Sequence, residues 1–592
     1  MLAITMFADV FSKLLAFCRE HLLAGICAAF GCLLSGTIVA APGDVDTTFG
    51  SNGSIVTEIG SGGGGRRVIV LPDDRFLIIG VCAHPLIVLC IARYDSNGLI
   101  DSTFGTAGVK YLDTQAGYSV YVDASIRRDD GSILLAGTCS TPAGGKYCIW
   151  RLTENADIDI TFNARTTPGY VSFDYNSNDV RAYAIAIDRR GRILVTGTCP
   201  EPKLCIARLL ANGEFDTEFS SSVGTEGRLI IDFARALIQA TSLAVQTDEK
   251  IVVAGFCHAP NGNRKFCAIR LSDGGAIDTT FGPTLHPGMV LLGGATQDGN
   301  STFVSLDAQG RIVVAGTCFD NNVNSVCSGR LLSDGNPDFS YGASAEFSVG
   351  PALLSNTIMS GSVMDVQVQE DGKLVSIAFC KRGGSVLFFC IARNNADGST
   401  DSTFGSGGAG LSSVAIRGVS DNPSSGHFQS NGNLIVSGGC APSASSSSTG
   451  GGAICAVRMV ATPYASATCS LNVDGSLATH VLSDGVLVLR YLLGLRGAAL
   501  TTGALGPNPT RTGQALEDHL ASLNLDADGD GQALAMTDGL LILRAMLGLT
   551  GTALTQGATN ASHPNVRNAQ QILTWIESTH GVACLPSPFT NG

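Results

Sequence analysis

One spacing recurs along most of this chain and constrains its fold more than any other feature. A cysteine is followed three residues later by an arginine, and in six of the seven copies an aspartate stands eight residues after that arginine. An offset repeated this often indicates tandem copies of one structural unit. The cysteine–arginine pairs are Cys90/Arg93, Cys148/Arg151, Cys205/Arg208, Cys267/Arg270, Cys327/Arg330, Cys390/Arg393 and Cys455/Arg458.

Each of these aspartates opens an Asp-x-x-Phe segment, except that one copy has Tyr341 in place of phenylalanine. Successive segments start 55 to 63 residues apart. That period is longer than those of ankyrin and tetratricopeptide repeats and is close to the length of a four-stranded propeller blade. The segments start at Asp46, Asp101, Asp159, Asp216, Asp278, Asp338 and Asp401.

The interior of each unit predicts four short strands. Residues 66–82 and 242–257 each contain two apolar runs rich in valine and isoleucine, divided by a polar turn. A third run begins at the cysteine of each Cys-x-x-Arg, as in 90–94, and a fourth follows each Asp-x-x-Phe, as in 53–59. We therefore predict a mainly β fold, a seven-bladed β-propeller over residues 42–460, with an open β-solenoid as the alternative.

The two ends of the array distinguish a ring from a solenoid. Arg458 has no aspartate eight residues later, and Asp46 has no arginine before it. The two incomplete copies complete each other if the array closes. We therefore predict that residues 44–50 close the last blade, which also removes the exposed edges of the sheets.

The repeated arginine–aspartate pair has two interpretations. It is either a partly buried ion pair that holds a blade to its neighbour, or part of a ring of arginines that binds an anion. Every unit carries the pair, whereas a binding site uses only a few units, and a net charge of −13 does not favour the capture of anions. We therefore expect a structural role.

The 19 cysteines divide among three regions. Cys18, Cys27 and Cys32 lie near the N-terminus, seven pairs lie within the units, and one further pair brackets the C-terminal region. No Cys-x-x-Cys pair or recurring histidine accompanies them, so zinc is disfavoured and disulfides made in an oxidising compartment are expected. The expected pairs are Cys82/Cys90, Cys139/Cys148, Cys199/Cys205, Cys257/Cys267, Cys318/Cys327, Cys380/Cys390, Cys440/Cys455 and Cys469/Cys584.

The N-terminal segment predicts export. Residues 22–41 form an apolar run that follows Lys13 and Arg19 and ends in small residues before Pro42. This pattern is typical of a signal peptide, so we expect residues 1–41 to be cleaved and the mature protein to be secreted, periplasmic or at the surface of a bacterial cell. The alternative is an uncleaved membrane anchor, since the run is long enough for one. After cleavage we expect no association with the membrane.

A second duplication begins after the last repeat, where the composition changes. Residues 472–504 match residues 526–558 with an offset of 54. Each half is an oxygen-rich loop followed by an amphipathic helix. We therefore assign residues 461–592 to a small α-helical, EF-hand-like domain.

Alternating oxygen-bearing side chains in both loops predict calcium sites. Calcium is a hard cation that takes six to eight oxygen ligands, and alternate loop positions can direct oxygens to one centre. The last acid lies at position 13, one residue later than in the usual EF-hand. The alternative is an ordinary turn with capping acids at the start of a helix. The second loop offers Asp526, Asp528, Asp530, Asp538 and the carbonyl of Gln532, and the first offers Asn472, Asp474, Ser476 and Asp484.

The repeat also resembles a known family. Residues 248–282, DEKIVVAGFC…CAIRLSDGGAIDTTFG, are similar to the delta-60 repeat, a bacterial β-propeller-like repeat, and the likeness extends over residues 44–460. This resemblance implies a propeller and no defined activity.

The duplicated loops 472–484 and 526–538 look like a type I dockerin. That resemblance implies calcium-binding loop–helix units that bind cohesin modules of scaffold proteins. The extra loop residue, the insert at 506–520 and the expected pair Cys469/Cys584 depart from the dockerin pattern.

Composition favours a binding protein over an enzyme. A glycosidase needs paired carboxylates, and aromatic platforms for sugar rings, but this chain has only Trp150 and Trp575 and 6% aromatic residues. No nucleophile motif accompanies a histidine, so we name no catalytic residue. We therefore expect a secreted, monomeric, non-enzymatic binding or structural protein with a calcium-dependent docking domain and a protein or glycan partner. The alternative is an extracellular polysaccharide hydrolase, and the acidic balance disfavours nucleic acid.

Overall fold

The computed structural model describes residues 42–581 and 584, apart from 60–61, 85, 113–118, 143, 176–179, 200–202, 220–226, 233–236, 259–263, 283–286, 293–297, 308, 321–322, 343–347, 353–357, 370, 383–385, 406–409, 419, 442–451, 461–468, 476–480, 506–508, 510, 561–562 and 564–565. The predicted signal peptide at 1–41 and the predicted ligand Ser476 lie outside these residues. Within the described part of the chain, no helix combines the length and the apolar character needed to cross a membrane.

In the described part of the chain, twenty-eight strands precede the helices, and they form seven groups of four pairing strands. Groups 1 to 4 contain β2 (Gly63–Val70), β3 (Phe76–His84), β4 (Leu86–Tyr94), β5 (Val109–Leu112); β6 (Ser119–Arg127), β7 (Ile133–Thr141), β8 (Gly144–Leu152), β9 (Tyr170–Phe173); β10 (Arg181–Ile187), β11 (Ile193–Thr198), β12 (Lys203–Leu209), β13 (Arg228–Asp232); and β14 (Leu237–Val245), β15 (Ile251–His258), β16 (Arg264–Leu271), β17 (Met289–Leu292). Groups 5 to 7 contain β18 (Asp298–Leu306), β19 (Ile312–Asp320), β20 (Val323–Leu331), β21 (Ser348–Ala352); β22 (Ile358–Val368), β23 (Leu374–Arg382), β24 (Val386–Asn394), β25 (Leu411–Val414); and β26 (Ser420–Phe428), β27 (Leu434–Ala441), β28 (Ala453–Met459) with β1 (Ser54–Glu58).

Groups 1 to 5 are separate four-stranded antiparallel sheets. Groups 6 and 7 belong to one eight-stranded sheet, in which a single parallel pairing between Leu387 and Ser420 joins the two antiparallel halves. In groups 1 to 6 the strands follow one another along the chain, and in group 7 the N-terminal β1 pairs with β28. The first two strands of each group form a hairpin around a short polar turn, as the alternating apolar runs predict.

The first strands of the groups contact one another in a closed series. β2 contacts β6, β6 contacts β10, and the series continues through β14, β18, β22 and β26 back to β2. Apolar side chains fill the space between successive groups, where Ile91 of group 1 and Trp150 of group 2 belong to one buried cluster. The core therefore lies between propeller-like sheets rather than at a single centre.

The N-terminal residues complete group 7. β1 pairs with β28 from Ser54↔Val457 to Glu58↔Ala453, and Val45 forms a bridge with Met459. The Nε of Arg458 donates to Oδ2 of Asp46 over 2.9 Å. The two incomplete copies at the ends of the array therefore meet, as the sequence predicts.

In groups 2, 3, 4, 5 and 7 the repeated arginine also bonds to a carbonyl of the next group. In group 2 the Nε of Arg151 donates to Oδ2 of Asp159 over 2.7 Å, while its Nη1 donates to the carbonyl of Ala211 in group 3 over 2.8 Å. The Nη1 of Arg458 in group 7 likewise donates to the carbonyl of Ser96 in group 1. Seven guanidinium groups also stack 4.4–5.0 Å from the aromatic ring of an Asp-x-x-Phe or Asp-x-x-Tyr segment. These contacts support the structural interpretation of the motif.

Eight disulfides join the expected cysteine pairs. Seven of them cross-link the second and third strands of a group beside their connecting loop, with loops of 6 to 15 residues, as in Cys199–Cys205 and Cys440–Cys455. Cys469–Cys584 closes a loop of 115 residues around the helical region. Closing a loop reduces the conformational entropy of the unfolded chain, and this effect increases with loop length.

Every first strand contains a β-bulge at the same register. The bulge lies opposite the glycine or alanine two residues before the first cysteine of the pair, so that Asp123 is the extra residue opposite Gly137 and Tyr183 the extra residue opposite Gly197. A Cβ atom on Gly137 would overlap the carbonyl oxygen of Tyr121, because the bulge brings that carbonyl against the glycine. The Gly-x-Cys step of the repeat is therefore a consequence of the bulge.

The C-terminal region contains six helices and two π-helical turns. The helices are α1 (Val486–Leu492), α2 (Ala498–Thr501), α3 (Gly513–Ser522), α4 (Leu540–Met546), α5 (Gly551–Thr555) and α6 (Ala569–His580). The π-helical turns Val481–Gly485 and Ala535–Gly539 lead directly into α1 and α4. Both halves share one buried core that includes Leu487, Leu541 and Ile576. The apolar helix faces of the two halves therefore pack against each other.

Candidate functional site

Three carboxylates of the second loop converge at the start of α4. Asp526, Asp528 and Asp538 each place an oxygen within 4.8 Å of the others. Asp528 and Asp538 are buried, and Asp526 is partly buried. Among the described residues these three form a group of the kind that can hold a metal ion. Oxygen ligands of this type suit a hard cation such as calcium.

Backbone N–H groups hold the carboxylates in place. Asp538 accepts from the N–H of Asp528 over 3.0 Å and from the N–H of Leu534 over 2.8 Å. Asp526 accepts from the N–H groups of Gly529 and Gly531 over 2.8 and 3.1 Å. Oδ1 of Asp538 and both oxygens of Asp526 accept one bond each and keep a second lone pair, so these bonds orient the carboxylates and leave them able to bind a cation.

The electrostatics of the cluster favour a positive ion. Burial raises the pKa of Asp528, and the nearby charges of Asp538 and Asp530 raise it further, although N–H groups of Asn560 and Asp530 act in the opposite direction. Like charges held in one place repel one another, and a cation between them would remove this repulsion. The three carboxylates therefore form a site to which a divalent ion is complementary.

A π-helical turn accommodates the extra residue of the loop. The N–H of Gly539 donates to the carbonyl of Leu534, five residues earlier, over 3.0 Å. This wider turn holds one more residue than an α-helical turn, and it carries Asp538 at position 13 to the other two carboxylates. The departure from the usual EF-hand spacing is thus absorbed in the first turn of the helix.

The other predicted residues of this loop lie outside the cluster. The carboxylate of Asp530 accepts a hydrogen bond of 2.8 Å from Nδ2 of Asn560, and this bond is the main cause that lowers the pKa of Asp530. Gln532 is exposed, and its N–H donates to Oδ1 of Asp530 over 2.9 Å. The structure therefore brings together three of the five residues that the sequence predicts for this loop.

The first loop repeats part of this arrangement. Asp474 and Asp484 are fully buried, and Oδ1 of Asp484 accepts from the N–H groups of Val473 and Asp474 over 2.8 and 3.3 Å. Asn472 lies at the start of the same loop, while Ser476 falls outside the described residues. The acid at the start of the helix thus holds the loop backbone in the same way in both halves.

Two arginines that sequence reasoning missed support the loop backbones. The Nη1 of Arg511 donates to the carbonyls of Asn472 and Val473, and the Nη1 of Arg567 donates to those of Asp526 and Ala527, over 2.7 and 3.2 Å in each case. The two arginines are 56 residues apart, whereas the loops are offset by 54, so a search at the fixed offset does not pair them.

The strand region offers little enclosed volume near its cysteines. A cavity of about 20 Å³ is lined by Gly62, Gly63, Cys82 and Tyr121 among others. This space holds about one water molecule and is too small for an organic ligand.

The architecture and the repeat define a mainly β protein with propeller-like sheets. More particularly, residues 246–281 match a family model described as a domain of unknown function (DUF5122) beta-propeller. That segment contains β15 and β16 of group 4, including Cys257, Cys267 and Arg270. No curated protein matches the chain significantly.

Comparison with solved structures finds similarity at low sequence identity and low TM-score. A polysaccharide lyase PL25 ulvan lyase is 12% identical with a TM-score of 0.37, over 68% of this chain and 95% of the lyase. The endo-arabinase of Bacteroides thetaiotaomicron is 11% identical with a TM-score of 0.29, over 46% of this chain and 91% of the arabinase. The β-propeller domain of the trilobed protease of Pyrococcus furiosus is 10% identical with a TM-score of 0.32, over 65% of this chain and 92% of that domain.

Proposed function

We propose that this protein is an exported, non-enzymatic binding protein, in which a seven-bladed propeller presents a binding surface and a calcium-dependent C-terminal domain docks the molecule to a partner. The observation that carries the proposal is the convergence of Asp526, Asp528 and Asp538 within 4.8 Å at the start of a helix. Three carboxylates held this close, two of them buried, would be costly without a cation.

The blade count rests on the closed series of contacts among seven first strands. The pairing of β1 with β28 and the Arg458–Asp46 bond support the same interpretation, because they join the two ends of the array. A ring has no exposed sheet edge, which would suit a protein that works outside the cell without chaperones. The delta-60 resemblance belongs to this part of the proposal.

The residues of the second loop fit calcium. Asp526, Asp528 and Asp538 would supply carboxylate oxygens, and Asp530 with the carbonyl of Gln532 would complete the shell. The first loop would bind a second ion through Asp474, Asp484, Asn472 and Ser476. When bound, the ion would neutralise the carboxylates and link each loop to the helix after it, so calcium would stabilise the domain. Whether that domain resembles a dockerin in its partner as well as in its loops is a separate question for a cohesin-binding assay.

The compartment follows from the disulfides. Eight disulfides persist only where thiols are not kept reduced, which supports secretion or a periplasmic location. We propose that residues 1–41 are the signal peptide of this export and that the mature protein is a monomer. Its partner would be a protein or a glycan.

Calcium titration of the full chain tests the proposal. Thermal melts of the oxidised protein are recorded in EDTA and with increasing calcium, and we expect a transition that rises with calcium over about 10⁻⁴–10⁻³ M, as in extracellular modules. Asp528→Asn should abolish the rise. Asp518→Asn is the matched control, because Asp518 is an exposed acid of the same domain bonded only to Gln514 among the described residues. A transition that EDTA and calcium leave unchanged in the wild type would disprove the metal site.

An extracellular polysaccharide hydrolase is the second candidate. The charged side chains of Arg67, Asp123 and Asp365 on the first strands favour it over an inert scaffold. Incubation of the mature protein with a panel of polysaccharides separates the two. If the wild type releases reducing ends and variants of Asp123 or Asp365 do not, the protein is an enzyme and the binding proposal is wrong.

A further inference from the structure

The bulged residues are the part of the repeat whose chemistry varies most. The arginines, aspartates, aromatic residues and cysteines of the framework recur in nearly every group, but the extra residue at the bulge differs from one group to the next. β-Bulges re-aim side chains and are common beside binding and active sites. The bulge residues are Arg66, Asp123, Tyr183, Thr241, Met364 and Ser424, with Ser301 and Thr302 sharing the position in group 5.

These residues lie at equivalent positions of neighbouring first strands. The bulges occur at the same register, and the first strands contact one another in a closed series. Neighbouring bulges also bond directly, since Oγ1 of Thr241 donates to the carbonyl of Thr302 over 2.5 Å. We call the bulge residues, together with the charged side chains of Arg67, Arg181 and Asp365 beside them, the girdle.

Charged groups of the girdle concentrate on one side. Arg66 and Arg67 lie in group 1, Asp123 in group 2 and Arg181 in group 3. Burial raises the pKa of Asp123, while the positive charges of Arg67, Arg66 and Arg181 act to lower it. Because β6 contacts both β2 and β10, Asp123 lies on the strand between those that carry Arg66, Arg67 and Arg181.

A second carboxylate reaches the same arginine from the other direction. Oδ2 of Asp365 in group 6 accepts from the N–H of Gly426 in group 7 over 3.0 Å. Burial raises the pKa of Asp365, and the positive charge of Arg67 is the first of the influences that lower it. The bulge of group 7 lies between groups 1 and 6, since Oγ of Ser425 accepts from the N–H of Val68, the residue after Arg67, over 2.9 Å.

These charges do not neutralise one another by direct contact. Among the described residues, neither Asp123 nor Asp365 forms an ion pair within 4 Å with Arg66, Arg67 or Arg181, and Nε of Arg67 is buried without a hydrogen-bond partner. Arg66, Arg67, Asp123 and Asp365 are each only partly buried, and Arg181 is exposed, so solvent reaches them. The girdle thus holds donors and acceptors apart around accessible space.

We propose that the girdle binds a small hydroxylated carboxylic acid, with the carboxylate on the guanidinium groups of Arg66, Arg67 and Arg181 and the hydroxyls donating to Asp123 and Asp365. Arginine matches a carboxylate because its planar donors can engage both oxygens. The two aspartates can only accept when ionised, so they select a ligand with donors and reject a simple anion. A sugar acid, free or as a residue of a polysaccharide, carries both kinds of group.

This inference deepens the proposed function by naming the ligand of the propeller part, and it rests on that part acting as the binding surface. It does not involve the carboxylates at the start of α4. A failure of the calcium site therefore leaves it standing, and a failure of sugar-acid binding leaves the calcium site standing.

The test is a calorimetric titration of the full-length oxidised protein with D-glucuronate. D-Glucose, which has hydroxyls without the charge, and acetate, which has the charge without hydroxyls, are titrated in parallel. A glucuronate oligosaccharide added in a separate arm distinguishes a free acid from a polymer residue as the source. The variants are Arg67→Gln, Asp123→Ala and the control Arg75→Gln, whose arginine pairs with Asp73 at an exposed turn.

We expect glucuronate to bind more tightly than glucose or acetate, because each supplies only one of the two kinds of group. Loss of a charge-assisted bond in Arg67→Gln should weaken glucuronate about tenfold or more, and Arg75→Gln should have no effect. Asp123→Ala should reduce the preference for glucuronate over acetate, and this comparison decides the matter if Arg67→Gln does not fold. The inference is wrong if wild type does not bind glucuronate, if acetate binds equally well, or if Arg67→Gln and Arg75→Gln weaken binding to the same extent.

Discussion

The closure of the array by Arg458 can be tested by removing its charge. Arg458 donates to Asp46 and to the carbonyl of Ser96, and its guanidinium lies 4.9 Å from the ring of Phe49. Arg458→Gln keeps a polar side chain of moderate length and loses all three interactions. Because two of these partners belong to the N-terminal segment and the third to group 1, the substitution should loosen the junction between the two ends of the array.

The expected magnitude follows from the burial of the pair. The side chains of Arg458 and Asp46 are 7% and 16% exposed. Breaking a buried ion pair by removal of one partner costs about 3–5 kcal/mol, and the partial exposure of Asp46 places this case at the lower end, about 3 kcal/mol. Arg75→Gln is the matched control, since Arg75 and Asp73 are 43% and 51% exposed and such pairs contribute about 0–1 kcal/mol.

Native-state hydrogen exchange read by mass spectrometry is the appropriate assay. A chain of several units need not unfold in a single transition, so a local opening free energy is better defined than a global one. The amides of β1 and β28 report on the junction, because these strands pair over Ser54–Glu58 and Ala453–Val457. We expect their opening free energy to fall by about 3 kcal/mol in Arg458→Gln and to change by less than about 1 kcal/mol in Arg75→Gln.

A double-mutant cycle with Asp46→Asn separates the pair from other effects. If the two side chains act through each other, Asp46→Asn should cost little once Arg458 is gone, which gives a coupling energy of about 1–2 kcal/mol. Two results would refute the reasoning. The first is that exchange in β1 is as slow in Arg458→Gln as in Arg75→Gln. The second is that Asp46→Asn lowers the opening free energy as much in the Arg458→Gln background as in the wild type.

Three further outcomes are expected. Gly137→Ala should lower the urea midpoint of unfolding, by an amount that corresponds to about 1–3 kcal/mol of unfolding free energy, because the new Cβ overlaps the carbonyl of Tyr121. The control Gly274→Ala, at an open position, should change the midpoint little, and equal midpoints in the two variants would show that the bulge does not require glycine. Burial opposes ionisation of Asp278 and Asp338, but hydrogen bonds from Thr280 and Ser340 and the charges of Arg270 and Arg330 hold each pKa at about 2, below the ordinary 3.8. Their contribution to stability is therefore complete above about pH 4 and lost as the pH falls towards 2, so Asp338→Asn should flatten the acid-unfolding curve in that window, and an unchanged curve would contradict this assignment. Arg567→Gln should weaken calcium binding more than Arg496→Gln does, because Arg567 bonds the carbonyls of the second loop whereas Arg496 bonds carbonyls at the end of α1. If the two variants bind calcium with equal affinity, Arg567 does not support the loop.

Local patterns were sufficient for the strands, the cysteine pairs and the composition of the acidic loops. Two apolar runs around a polar turn predict a hairpin wherever it occurs, and two cysteines on either side of its loop are necessarily close together. The same holds for Asp526, Asp528 and Asp538, which a short loop and one helical turn can bring to a common point. The carboxylate of Asp530 shows the limit, because its bond to Asn560 depends on a residue thirty positions away.

The sequence by itself determined the repeat, the pairing of its cysteines and the complementary ends at Arg458 and Asp46. Only the tertiary structure decided that the repeated arginines of groups 2, 3, 4, 5 and 7 also bond to a carbonyl of the next group, and that a bulge in every first strand requires the small residue of the Gly-x-Cys step. It alone placed Arg67 between Asp123 and Asp365. These contacts join residues from different sheets. The spacing of residues within one repeat does not show which residues of neighbouring sheets meet. The residue spacing of one unit therefore predicts the framework, whereas the girdle forms only where the seven units meet in the folded protein.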